Sequence, residues 1–195
     1  MKKISFLFIA AFALYAMQGC NSAPKDAKQS ADSLNKTKDT TTNVAATGGI
    51  AVTNDDAKFA TNAAAGGMAE IELSKLAQQK TANAQIKDFA GMMITDHGKA
   101  GDSLAAIAKK KNITLPTAMD ADHQKKYDDM NKLTGADFDK AYVNAMVGDH
   151  KDALKLMKDA AKNCSDADLK AFAAATAPTV QMHLDAANKL HGSMK

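Results

Sequence analysis

The chain has 195 residues, 46% hydrophobic and 24% charged, enough apolar material for one domain of ordinary size. Its 25 basic and 22 acidic residues leave a formal charge of +3. Lysines and aspartates are interleaved rather than gathered into a stripe, which argues against a nucleic-acid partner.

Met1-Lys2-Lys3 is a short basic start, and Ile4 to Met17 is almost wholly apolar. That run is shorter than the ~20 residues of a membrane-spanning helix and reads as a secretory signal over residues 1–19. It ends in Gly19-Cys20, which resembles the lipobox of bacterial lipoproteins, although Met17 and Gln18 depart from the usual residues. The resemblance implies lipidation of Cys20 and an acyl anchor that holds the chain to a membrane without crossing it. With Asn21 next, the expected location is the cell envelope, at the outer membrane. The competing reading is an ordinary cleaved signal with an incidental cysteine. Residues 20–54 are mostly Ser, Thr, Asn, Lys, Asp and Ala and read as a flexible tether.

Residues 55–195 carry four long helical patterns. The first, Asp55 to Lys80, has Asn54 or Asp55 as N-cap candidate and a seam of Phe59, Ala63, Gly66, Glu70, Leu73 and Ala77. The second, Ala84 to Lys110, repeats Ile86, Phe89, Met93, His97, Ala100, Leu104 and Ile107, and Pro116 follows it. A short amphipathic segment, Ala118 to Leu133, crosses to the other half, and its His123 is expected to face solvent. Thr134-Gly135 precedes the third run, Asp137 to Lys162, with Tyr142, Met146, His150, Ala153 and Met157 on its seam. Asn163 to Asp166 form a turn in which Cys164, the second cysteine, is an exposed and inert thiol with no intrachain partner. The fourth run, Asp166 to His191, carries Leu169, Phe172, Val180, His183 and Ala187, with a kink expected at Pro178. These patterns predict an all-α, antiparallel four-helix bundle with a short extra helix between helices two and three.

One motif occurs twice. Residues 93–100 and 146–153 share Met-[Ile/Val]-x-Asp-His-x-x-Ala, and each copy sets a histidine on a core step. Glu70 lies about 12 residues before the first interhelical turn and His97 about 15 after it, so their levels differ by roughly 5 Å. His150 and His183 flank the second turn with an offset of roughly 7 Å. Glu70, His97, His150 and His183 thus form a candidate transition-metal ligand set suited to zinc, copper, iron or nickel. Asp96 and Asp149 point about 100° away from the adjacent histidines and are candidates for accepting a hydrogen bond from another helix. Tyr142 is a third such candidate. The bland alternative is a buried polar layer that fixes helix register and binds nothing.

Gly67-Met68-Ala69-Glu70, the Asp-His pairs at 96–97 and 149–150, Phe138-Asp139 with Tyr142, and Pro178 with His183 resemble the bacterial family called domain of unknown function 4142. The resemblance covers about residues 55 to 192 and implies an exported, ferritin-like helical bundle with no assigned activity. Di-iron members of the ferritin-like fold use Glu-x-x-His pairs. Here Ile94, Val147 and Val180 stand three residues before the histidines, which argues against ferroxidase chemistry. The expectation is a lipid-anchored envelope protein whose core binds a transition metal for sequestration, sensing or stress protection rather than turnover. The alternatives are a structural or interaction lipoprotein and, last, a redox enzyme. No protein partner can be named from the residues.

Overall fold

Short polar side chains start most of the helices in the computed structural model, which describes residues 26–38 and 52–194. Among the described residues the fold is all-α, with helices α1 (Ala27–Lys38), α2 (Asn54–Lys80), α3 (Ala84–Lys111), α4 (Ala121–Asn131), α5 (Gly135–Asn163) and α6 (Ala167–Ser193). Thr53, rather than Asn54 or Asp55, caps α2 by accepting from the Asp56 N–H. Asn83, Asp120 and Asp166 do the same for α3, α4 and α6. The left-handed Asn112 (φ 57°) ends α3, and Gly135 (φ 55°) makes the turn into α5. Helix α6 runs on through Pro178.

Helix α2 packs on α3 and α5 on α6, and the two hairpins meet through α2 against α5 and α3 against α6. Two apolar clusters fill the interior. The first joins Phe59, Leu104, Leu154, Met157, Leu169 and Val180. The second joins Leu73, Ile86, Phe89, Met93, Phe138, Tyr142, Met146 and Ala187. The first takes the early parts of α2 and α6 and the late parts of α3 and α5, and the second the reverse, so α2 and α3 run in opposite directions, as do α5 and α6, while α3 and α5 run the same way. Burying one such large side chain stabilises by about 1.5–3 kcal/mol. Exposed pairs such as Lys75–Glu72 and Lys155–Asp159 are screened by solvent and contribute little, so the apolar seams hold the helices together.

Three expectations differ from the structure or fall outside it. Helix α1 lies within the stretch read as a tether. It has almost no apolar face, and polar pairing replaces apolar burial. The buried Asn35 side chain donates to the Thr114 carbonyl (2.8 Å) and accepts from the Thr114 N–H (2.7 Å). Lys38 reaches Thr114 Oγ1 at 2.7 Å, and Thr61 donates to Asp32. Cys164 is buried rather than exposed, because the chain packs its turn against α2, where Asp56 accepts from the Ser165 and Asp166 N–H groups. The signal at 1–19 and the lipidation candidate Cys20 lie outside the described residues. Among those described, no helix is long and apolar enough to cross a membrane.

Candidate metal centre

Four seam positions interrupt the apolar interior between the two clusters: Glu70 on α2, His97 on α3, His150 on α5 and His183 on α6. His150 is fully buried, His183 and Glu70 nearly so, and the His97 side chain is 10% exposed. The imidazole centroids stand 5.5 Å (His97–His150), 5.2 Å (His97–His183) and 5.4 Å (His150–His183) apart, close to an equilateral triangle. One nitrogen from each ring lies within 4.8 Å of the other two. Zinc–nitrogen bonds of about 2.0–2.1 Å would bring tetrahedral ligands to roughly 3.4 Å of each other. Closing on an ion would thus draw the nitrogens together by up to about 1.4 Å.

Each ring is held on one side only. His150 Nδ1 donates to the Met146 carbonyl at 2.8 Å and lies 3.3 Å from Glu70 Oε1. His97 Nδ1 lies 3.1 Å from Glu70 Oε2. His183 Nε2 donates to Asp96 Oδ2 at 3.1 Å. The other nitrogens, Nε2 of His97, Nε2 of His150 and Nδ1 of His183, are buried and have no hydrogen-bond partner among the described residues. A backbone carbonyl only accepts, so Met146 places the His150 proton on Nδ1 and leaves the lone pair on Nε2. Asp96 does the same for His183 in the opposite tautomer.

Burial drives the electrostatics. It lowers His97 to about 3 and His150 to about 4, with neighbouring imidazoles adding to both shifts, and it lowers His183 despite the Asp96 carboxylate. All three are neutral at pH 7, the form that binds metals. Burial raises Glu70 to about 8, and the Asp149 charge adds to the rise.

Glu70 was expected among the ligands, but its carboxylate faces the Nδ1 side of two rings rather than the nitrogens left free. The group that can close on an ion is His97, His150 and His183. Asp96 accepts from a histidine on another helix. Asp149, in the second copy of the motif, pairs through Oδ1 with Lys126 of α4 instead. Tyr142 does not reach the histidines: its hydroxyl is 2.9 Å from Ser74 Oγ, one turn beyond Glu70. His123 is half-buried rather than exposed, with Nδ1 2.8 Å from Asp120 Oδ1. Sequence reasoning did not find Ser74, Lys126 or the Met146 carbonyl. The last had a signal, since a helical side chain lies over the turn before it.

A cavity of about 510 Å³ adjoins the triad, bounded by Glu70 and His97 and by Gly66, Gly67, Leu104, Met157, Phe172 and Val180. A Cβ at Gly67 would meet His97 Nδ1 at 3.9 Å, and one at Gly66 would meet nothing within 4 Å among the described residues.

A family model described as a domain of unknown function (DUF4142) matches residues 39–190. No curated protein matches the chain. Among solved structures, the crystal structure of a DUF305 fragment from Deinococcus radiodurans is similar, with a TM-score of 0.65 at 9% identity. The match covers 73% of this chain and 98% of that one. At that identity the likeness concerns the fold alone.

Proposed function

The chain belongs to the DUF4142 family, whose description assigns no activity, and from that premise we propose that it is a lipid-anchored cell-envelope protein binding one transition-metal ion. The frame is an antiparallel four-helix bundle of ferritin-like type, with α4 inserted between its second and third long helices. His97, His150 and His183 hold the ion. Glu70 and Asp96 orient the rings from behind, and the role is sequestration, sensing or stress protection. One observation carries the reading: three buried imidazole nitrogens, one per ring, have no partner among the described residues. Leaving a buried polar atom unpaired costs about 1–3 kcal/mol, and a single cation removes that cost from all three rings. Three nitrogen donors suit zinc or copper(II), and a fourth position is left open.

Metal content and competition titrations on the purified chain test the reading. One ion per chain is expected, with binding lost on His150→Ala and His183→Ala. At a metal concentration 1,000 times Kd the fold should gain about 4 kcal/mol. A metal-free protein whose unfolding ignores zinc, copper and iron overturns the proposal. It would leave the polar layer as a register device, a reading the cross-helix pairs Glu70–His97, Glu70–His150 and Asp96–His183 also suit. Cys20→Ser tests the anchor and should move the chain out of the membrane fraction.

A further inference from the structure

We propose that the cavity beside the triad is a binding site for a neutral amphiphile, a molecule with one apolar tail and a hydroxyl-type head, its tail among α3, α5 and α6 and its head toward α1 and α4. The site needs no ion at the histidines and no access to their unpartnered nitrogens. The cavity has about 510 Å³, within the range of small-molecule sites and many times the roughly 30 Å³ of one water. Leu104 of α3, Leu156 and Met157 of α5, and Phe172 and Val180 of α6 supply apolar wall. A tail laid against them leaves water.

The charged groups on the wall select the head. Lys28 of α1, Asp120 and His123 of α4, and Asp149 and Asp152 of α5 all line the cavity. Most are already matched: Asp149 Oδ1 is 2.5 Å from Lys126 Nζ, and Asp120 Oδ1 is 2.8 Å from His123 Nδ1. With Lys126 counted, two lysines stand against three aspartates, so no excess of positive charge is there to hold a carboxylate or phosphate head. For a cationic head the aspartate left over is Asp152, which is exposed, and solvent screens its attraction. A hydroxyl head donates to or accepts from these groups without taking a charge out of water.

Two features keep the space open. On α2, Gly66 lines the cavity, and a Cβ there would meet no heavy atom within 4 Å among the described residues. Glycine in a helix interior is disfavoured relative to alanine, and no close approach at Gly66 requires it. At the rim, the Asn35 side chain of α1 donates to the Thr114 carbonyl and accepts from the Thr114 N–H. Leu115 and Pro116, next in the chain, line the cavity. Hydrogen bonds of fixed geometry thus set the position of this wall, where apolar contact alone would favour its collapse inward.

Calorimetric titration of the chelator-treated full chain with 1-butanol, 1-hexanol and 1-octanol tests the site. The head is constant and only the tail grows. One alcohol per chain is expected, with affinity rising about fourfold per added carbon, the equivalent of about 0.8 kcal/mol for each buried methylene. Octanoate, which brings a charge into the same space, should bind about tenfold more weakly than octanol. Gly66→Leu and Ala153→Leu, which fill the cavity from α2 and α5, should each lower octanol affinity about tenfold. If one of these variants does not fold, the other decides. An absence of saturable binding, a series that does not climb, octanoate binding as tightly as octanol, or octanol affinity unchanged in a folded variant overturns the proposal. Because the titrations use metal-free protein, each of these results leaves the metal reading standing.

Discussion

Replacing Glu70 by glutamine should move metal affinity and metal-free stability in opposite directions. In the folded chain without metal, Glu70 keeps its proton up to about pH 8, whereas the unfolded chain releases it near 4.5. Between those values the folded state binds more protons, so stability falls as pH rises and levels off above about 8. His97 and His150 act the other way: their ordinary value of 6.5 drops to about 3 and about 4 on folding, so they withdraw stability as pH falls below 6.5. The metal-free protein is therefore most stable near pH 6.5. From there to pH 8 the carboxyl alone removes roughly 2 kcal/mol at about 1.36 kcal/mol per pH unit, partly offset as the histidines of the unfolded chain lose their last protons. Urea unfolding of the chelator-treated chain at pH 6.5 and 8 reads this directly. Glu70→Gln should rise slightly over this window, and wild type should fall behind it by roughly 2 kcal/mol. Zinc affinity should fall 10- to 100-fold in the variant, because the amide no longer sets a charge behind two ligand rings. Parallel pH curves for the two proteins would refute the buried, proton-holding carboxyl.

Two further outcomes separate the site from its surroundings. Tyr142→Phe removes a buried hydroxyl whose partner is Ser74; thermal or urea unfolding should show a loss of about 0.5–1.5 kcal/mol with zinc affinity unchanged, and a tenfold drop in affinity would tie Tyr142 to the metal after all. Asn35→Ala strips both partners from the Thr114 backbone and should cost about 1–3 kcal/mol while speeding amide exchange in α1; exchange no faster than in wild type would mean that other contacts hold that helix.

The long helices and the depth of the polar layer were legible because both follow from helical period alone. Ala63, Gly66, Glu70 and Leu73, or Met93, His97, Ala100 and Leu104, recur at steps of three and four, and counting outward from each turn gives the level. Helix α1 was not legible. Residues 27–38 contain one large apolar side chain, Leu34, and it is 51% exposed. What anchors the helix is an asparagine reading the backbone of a loop 79 positions away, and no local pattern announces such a contact.

The duties of the carboxylates were hidden for a different reason. Adjacent helical residues diverge by about 100°, so Asp96 cannot serve His97 and instead meets His183 on α6. Asp149 has the same place in the second copy of the motif, yet α4 lies on that side and Lys126 takes it. A repeat in sequence is therefore not a repeat in contacts: the two Asp-His pairs sit in helices with different neighbours, and the neighbour decides. The same reasoning reassigns Glu70. Period places its carboxylate at the level of the rings, but a carboxylate placed between α3 and α5 reaches the near nitrogen of both histidines and leaves the far ones bare. Which imidazole nitrogen is free is fixed by what stands across the helix boundary, and the chemistry of the site lies on that side of the ring.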